Sequence, residues 1–320
     1  MSAQHIPVLL KEVLDGLALE RGGVIADCTF GAGGYSRAIL ENSDASVVAI
    51  DRDPSVGVYA QALKDEFGQR FTLLEGRFSD LVSLLKSIGL SSVSGVVMDI
   101  GVSSMHLDAA ERGFSFMADA PLDMRMGQSG ETAAHLVAAL EAPDLAHLFR
   151  LYADERQARR IAQNIVSVRE KAPIETTLQL RAVIAKTVGG KNELKSTARV
   201  FQALRIAVND ELGELRKGLA AAEIMLVEDG RLCVVTFHSG EDKIVKTFLS
   251  DHSGKTASIR SSRHLPQIEN DGPPPPFRLI HRKAVAPSES EVEGNSRARS
   301  AKLRVAARTA APAWALGEAA

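Results

Sequence analysis

The stretch Val24-Ile25-Ala26-Asp27-Cys28-Thr29-Phe30-Gly31-Ala32-Gly33-Gly34-Tyr35-Ser36 decides the fold. Val24 to Ala26 read as a short buried strand, and Ser36-Arg37-Ala38-Ile39-Leu40 has a helical pattern. Glycines between the two let the backbone approach a ligand that a Cβ would block. The start of the helix then offers N–H groups with no partner inside the helix. Strand, glycines and helix together make a nucleotide-type binding turn.

Outward from this turn, strand and helix alternate. Ser46 to Ile50 is a second apolar strand and ends on Asp51. Pro54 opens a helix that reaches about Phe67, a position that tolerates proline. Phe71 to Leu74 is a third strand, Phe78 to Ile88 a third helix, and Gly95 to Met98 a fourth strand ending on Asp99. There are no hairpin signals, so the spacing predicts a parallel α/β sheet. The pattern then breaks. Residues 107–128 are irregular, and from Thr132 to about Gly189 the period is helical only, interrupted near Pro143, Pro173 and Gly189-Gly190. A long helix is expected from Thr197 to Val227, after which Arg231 to Phe237 restores the strand pattern. Phe277 to Lys283 and Leu303 to Ala307 are the last strand candidates, and Thr309 onward reads as a loose tail.

The composition is that of an ordinary globular protein: 320 residues, 45% hydrophobic, 24% charged, formal net charge −2. No apolar run is long enough to span a membrane, and the first residues lack a signal-peptide pattern. Two cysteines, Cys28 and Cys233, fit small buried residues in a reducing compartment, so a cytoplasmic location is expected. The charge is uneven. Residues 156–205 hold eleven Lys/Arg and three Asp/Glu, a local +8. Arg297, Arg299, Lys302, Arg304 and Arg308 form a second basic run. Such clusters serve as phosphate-binding faces or as ordinary solvated surfaces.

Three carboxylates carry the chemistry. A dinucleotide fingerprint needs Gly-x-Gly-x-x-Gly, and Ser36 stands where the third glycine would be. Asp27 lies four positions before Gly31, where it can face a cationic ligand group. Asp-x-x-x-Gly-x-Gly looks like the first motif of the class I methyltransferases that use S-adenosylmethionine (AdoMet). Asp51, about 20 residues after the glycines, can accept hydrogen bonds from both ribose hydroxyls, and an NAD enzyme would share that feature. Asp99 ends the fourth strand, at the sheet edge where open α/β folds bind ligands. Methyltransferases of exocyclic amines often carry Asp-Pro-Pro-Tyr there. Asp99-Ile100-Gly101-Val102 keeps only the acid, so a helix cap or turn role is the plain alternative.

The whole chain resembles the MraW (RsmH) family. The matching stretches are His5 to Leu10, Thr29 to Gly34, Asp99 to Ser104, Arg112 to Phe116, Pro121 to Met126, Phe201 to Leu212, Phe237 to Ser239 and Arg297 to Arg304. The resemblance implies a class I AdoMet-dependent methyltransferase: Rossmann-like, with a mostly parallel sheet and an inserted helical substrate-recognition domain. Residues 1–106 and 197–308 would form the catalytic domain, 107–196 the RNA-recognition insert and 309–320 the tail. It implies methylation of the N4 amine of a cytidine in the decoding region of small-subunit (16S) ribosomal RNA, on the assembled 30S subunit. Implied cofactor contacts lie at Gly33, Gly34, position 35, Asp51, Phe78, Asp99 and position 106. Here Tyr35 and His106 depart from the family pattern.

Further site candidates follow. Asp99 is the candidate proton acceptor. His238, after the strand ending at Phe237, either meets the base or caps the next helix, and Ser239 follows it. Phe114, Phe116 and Phe237 are candidate stacking faces, with core packing as the alternative. Arg156, Arg159, Arg160, Arg199 and Arg205 are candidate RNA-phosphate ligands. No set of residues has metal spacing, and monomer and homodimer both stay open. A non-catalytic AdoMet-binding ribosome-assembly factor and an NAD oxidoreductase are the competing readings.

Overall fold

A computed structural model describes residues 7–127, 129–254 and 273–314. Contacts divide the chain into two compact units, residues 1–101 with 212–320, and residues 102–211.

The first unit is built on a seven-stranded sheet. Its strands are β1 (Val24–Asp27), β2 (Ser46–Asp51), β3 (Phe71–Glu75), β4 (Val93–Asp99), β5 (Leu226–Thr236), β6 (Phe277–Leu279) and β7 (Lys302–Arg308). Their order is β3-β2-β1-β4-β5-β7-β6. The strands from β3 to β5 are parallel, and only β7 runs against the rest. Strands covered on both faces read as continuous apolar runs. β2 and β4 follow that rule, and Ile50, Val96 and Met98 are fully buried. The helices α1 (Leu10–Leu17), α2 (Gly34–Asn42), α3 (Gly57–Phe67) and α4 (Leu81–Ser87) accompany the first four strands. The strand order turns around between β1 and β4, so a crevice opens beyond their carboxyl ends.

The second unit is helical. It contains α5 (Ser104–Asp108), α6 (Ala133–Ala139), α7 (Ala142–Ala153), α8 (Ala158–Arg169), α9 (Thr177–Val188) and α10 (Glu193–Asn209). Local chemistry sets the ends. Thr132 and Thr176 cap α6 and α9 through capping boxes with His135 and Gln179, and Pro143 sits in the first turn of α7. The core gathers Leu145, Phe149, Ile161, Leu180 and Leu204, all fully buried.

Several boundaries differ from the sequence reading. The helix expected over 197–227 is two helices, α10 and α11 (Glu211–Met225), separated at Asp210 with φ 48°. A periodic apolar pattern runs through this left-handed break, which is why it escapes notice. α10 packs on α7 and α9, so the helical unit ends at 211 and not at 196. It begins at 102 and not at 107. The Phe277 strand stops at Leu279. The start of the tail is not loose. Thr309 N–H donates to the Pro276 carbonyl at 2.9 Å, its hydroxyl donates to the Pro275 carbonyl at 2.7 Å, and Trp314 N–H donates to Glu223 at 2.5 Å. Residues 315–320, and His5 and Ile6 of the first matching stretch, lie outside the described residues.

Three of the quoted stretches meet inside the helical unit. Asn209 of the Phe201–Leu212 stretch is 1% exposed. Its Oδ1 accepts from Met126 N–H at 2.9 Å, and its Nδ2 donates to the Met124 carbonyl at 2.7 Å. Arg112 donates to the carbonyls of Arg125 and Met126 at 2.9 and 3.0 Å. Asp123 and Arg125 close the loop with a 2.7 Å ion pair. Asn209→Ala orphans one buried donor and one buried acceptor, each worth about 1–3 kcal/mol. It is expected to destabilise the helical unit by about 2–4 kcal/mol, read as a lower thermal midpoint. A change under about 0.5 kcal/mol would contradict this account of the loop.

Candidate active site

The carboxyl ends of β1, β2 and β4 each carry an aspartate. Asp27 on β1 is paired with Ala49 on β2 and Val97 on β4. Asp51 and Asp99 therefore stand level with one another, two residues beyond Asp27, on either side of β1. Two strand spacings put their backbones about 10 Å apart. The glycine turn passes through the gap.

Asp27 is 1% exposed, and both of its oxygens are engaged. Oδ1 accepts from Thr29 N–H at 3.2 Å and Oδ2 from the Ser36 hydroxyl at 2.6 Å. It braces the turn from below, and its contacts are to the turn rather than to an open cleft. Ser36, fully buried, thus has a use of its own at the position of the missing glycine. Burial pushes the Asp27 carboxyl up to about 6, against the lowering effect of these two hydrogen bonds.

Asp51 braces the turn from the side. Its Oδ2 accepts from Gly31 N–H at 2.8 Å and its Oδ1 from Asp53 N–H at 2.9 Å. Each carboxylate oxygen can accept a further bond, so hydroxyls of a ribose remain compatible with it. Gly33 caps α2 with φ 79°, and a Cβ there would lie 2.9 Å from the Phe30 ring. At Gly34 a Cβ would lie 2.3 Å from Pro7 Cγ. Tyr35 is buried and its hydroxyl donates to the Val8 carbonyl, so it offers the turn only its backbone. Phe78 follows β3, half-buried, with its ring packed on Gly218.

Asp99 has a different environment. Its N–H donates to the Thr29 hydroxyl at 2.7 Å, while its Oδ1 is buried with no hydrogen-bond partner. Burial, then the charges of Asp27 and Glu241, hold its carboxyl well above the usual carboxylate range. An orphaned buried acceptor costs free energy unless a donor arrives. An amine-bearing ligand supplies one, so the acceptors present fit AdoMet and an exocyclic amine.

His238 is the N-cap of α12 (Ser239–Asp251). Its Nδ1 accepts from Gly240 N–H at 3.2 Å and from Glu241 N–H at 3.4 Å. Its Nε2 lies 3.0 Å from Glu241 Oε1 at an angle too poor for a hydrogen bond. Glu241, fully buried, accepts from Phe237 and His238 N–H at 2.7 and 3.2 Å. The cap role accounts for His238, and Ser239 beside it is exposed. Sequence reading missed Thr29, Ser36 and Glu241. The last was visible as an acid three residues after a cap.

The other candidates lie in the helical unit. His106 is 6% exposed, pairs with Ser103 in a capping box and packs on Phe114 at 5.0 Å. Phe114 is therefore a core residue without an open face, a correction to the stacking role. Phe116 lies edge-on to Phe201 at 5.2 Å and is half-buried. Arg205 holds Glu211 with two bonds of 2.7 and 2.8 Å, which occupies the fork expected for phosphate. Arg199 stands 3.7 Å from buried Glu155. Arg156, Arg159 and Arg160 are exposed, and Arg160 donates to Gln157 and to the Thr187 carbonyl. The second basic run is partly structural: Arg308 is buried against three carbonyls, and Lys302 and Arg304 share Asp242. No group of three metal-ligating residues occurs among the described residues.

The state of Asp27 has a thermodynamic consequence. Its folded value of about 6 exceeds the ordinary 3.8, so the folded chain binds more protons between them. Stability falls as pH rises from about 4 to about 6 and then levels. Asp27→Asn keeps one acceptor for Thr29 and one polar partner for Ser36 while removing the charge. Denaturation midpoints at pH 4, 6 and 7.5 are expected to show a smaller decline for the variant than for the parent. Equal declines would contradict this account of Asp27.

Comparison with known proteins adds a second line of observation. Residues 2–309 match the model of the MraW methylase family. A protein from Caulobacter vibrioides named ribosomal RNA small subunit methyltransferase H is 54% identical over 98% of each chain. Proteins of the same name from Parvibaculum lavamentivorans and Azorhizobium caulinodans are 52% and 54% identical. They match over 98% and 99% of this chain and 92% and 90% of their own. A match spanning sheet and helical unit alike, at this identity, means that the chain belongs to the MraW methylase family.

Proposed function

We propose that this chain transfers a methyl group from AdoMet to the N4 amine of a cytidine in the decoding region of small-subunit ribosomal RNA, within the assembled 30S subunit. Family membership supports methyl transfer, and the names of the relatives support small-subunit rRNA as substrate. The observation that carries the chemistry is the buried, unpartnered Oδ1 of Asp99 at the crevice between β1 and β4.

When bound, AdoMet supplies an electrophilic methyl group on a sulfonium. In this reading, backbone N–H groups at Gly34 and Tyr35 and the carboxylate of Asp51 hold the cofactor, Gly33 shapes the turn with its N–H on the Phe30 carbonyl at 2.8 Å, and Phe78 borders it. Asp99 does the work at the amine. The N4 lone pair of cytosine is delocalised into the ring, so the nitrogen needs help and close alignment. An N4–H bond to Asp99 Oδ1 favours the pyramidal, nucleophilic nitrogen. An N4 nitrogen that accepts the methyl group would be cationic and acidic. Asp99, once ionised, has a raised proton affinity and takes that proton. The base must leave its stack to reach this depth. The exposed cations Arg156, Arg159 and Arg160 contact RNA phosphates, with Arg199 as a further candidate. His238, Ser239 and Glu241 shape the turn after β5, while Asp27 and His106 act as structural supports.

The direct test incubates the purified chain and methyl-labelled AdoMet with small subunits lacking the modification. Label is expected in N4-methylcytidine after digestion of the RNA. Label absent from RNA, with AdoMet bound, would favour the assembly-factor reading instead. Asp51→Ala separates the two ligands. It is expected to weaken AdoMet binding at least ten-fold by calorimetry while RNA affinity stays within about two-fold; each missing charge-assisted hydrogen bond is worth about 1.5–3 kcal/mol. Unchanged AdoMet affinity would remove Asp51 from the cofactor site.

A further inference from the structure

A small recess of about 50 Å³ lies in the sheet unit where α12, the turn after β6 and β7 meet. Lys246 and Ser250, one helical turn apart on α12, form one wall. His281 and Arg282 form the second, and Arg304 on β7 the third; its floor is aliphatic. Every charge-bearing side chain that lines it is basic.

Neither Lys246 nor Arg282 has an acidic partner among the described residues, and both are exposed. Arg304 is half satisfied: its Nε donates to Asp242 at 2.8 Å, but Asp242 also takes Lys302 at 3.0 Å. One carboxylate faces two cations, so this corner keeps a positive charge. Those two partners hold the Asp242 carboxyl below its usual range despite its partial burial.

The location matters as much as the charge. β6 runs parallel to β4, and its end at Leu279 points to the same sheet edge as Asp99. Arg304 pairs with Val234, and the preceding β7 residue, Leu303, pairs with Val235, which faces Asp99 on β4. The strands that carry Arg304 and Leu279 therefore lie two and three strand spacings from β4, about 10–15 Å across the sheet from Asp99.

We propose that this recess binds a backbone phosphate of the RNA strand that carries the target base. The inference rests on the functional reading above and adds a subsite to it. Lys246 and Arg282 supply the unpaired charge and Arg304 the fixed fork. A phosphate held here fixes the RNA strand at a second point on the edge where Asp99 waits. Phosphate contacts position a strand without reading its sequence.

The test is Lys246→Ala/Arg282→Ala, with Lys86→Ala/Lys217→Ala as a control that removes the same charge from exposed sites elsewhere. Binding to small subunits lacking the modification is measured across roughly 50–200 mM salt. The expected results are a roughly ten-fold loss of affinity at low salt and a salt slope shallower by roughly 1–2, since each phosphate contact contributes about 0.7–0.9. AdoMet affinity stays unchanged, and the control keeps the parent slope. A variant with parent-like affinity and slope overturns the inference and leaves the methyltransferase reading intact. A variant that loses only affinity for inorganic phosphate also overturns it, because the recess then holds a free anion. A parent chain that binds no such subunits overturns both.

Discussion

A pair of carboxylates holds one turn still, and the sheet unit's chemistry depends on it. Asp27 ties Thr29 and Ser36 together beneath the turn, and Asp51 ties Gly31 from the neighbouring strand. Hydrogen bonds to charged groups are worth about 1.5–3 kcal/mol each, enough to offset part of the cost of burying Asp27. The brace extends further. Thr29, placed by Asp27, accepts the N–H of Asp99 across the crevice. Three strand ends are thereby locked in register, and Asp99 is left with one oxygen facing inward and unbonded. Glu241 completes the arrangement from α12. It fixes the Phe237–His238 turn and adds negative charge that raises the proton affinity of Asp99.

The sheet was legible because its signals are local. Apolar runs ended by Asp51 and Asp99, and a glycine turn after Asp27, place the first four strands and the ligand edge. The break between α10 and α11 was not legible, because Asp210 adopts a left-handed φ inside an unbroken apolar period. The roles of single side chains were harder still. Ser36 looked like a defect in a glycine motif, yet its hydroxyl bonds Asp27. Arg205 looked like a phosphate ligand, yet Glu211, six residues on, occupies its guanidinium. Phe114 looked like a stacking face, yet His106 covers it. Each depends on a partner that only the folded chain identifies.

The helical unit shows why particular short stretches carry family identity. Pro121–Met126 has no periodicity and no composition to explain it. In the fold it is a loop whose backbone is held by Asn209 from α10 and by Arg112. Arg112, Met124–Met126 and Asn209 come from three separate stretches and form one hydrogen-bonded assembly. A loop of this kind cannot stand on its own sequence, since buried backbone groups need partners from outside it.

The central claim is that the inward oxygen of Asp99 meets the amine that is methylated. A structure of the chain with S-adenosylhomocysteine and a cytidine nucleotide tests it most directly. The account predicts the cytosine N4 within hydrogen-bond distance of Asp99 Oδ1, with the ribose hydroxyls of the cofactor on Asp51. A cytosine seated with N4 away from Asp99, or a cofactor lying elsewhere than the Asp27–Ser36 turn, would contradict it.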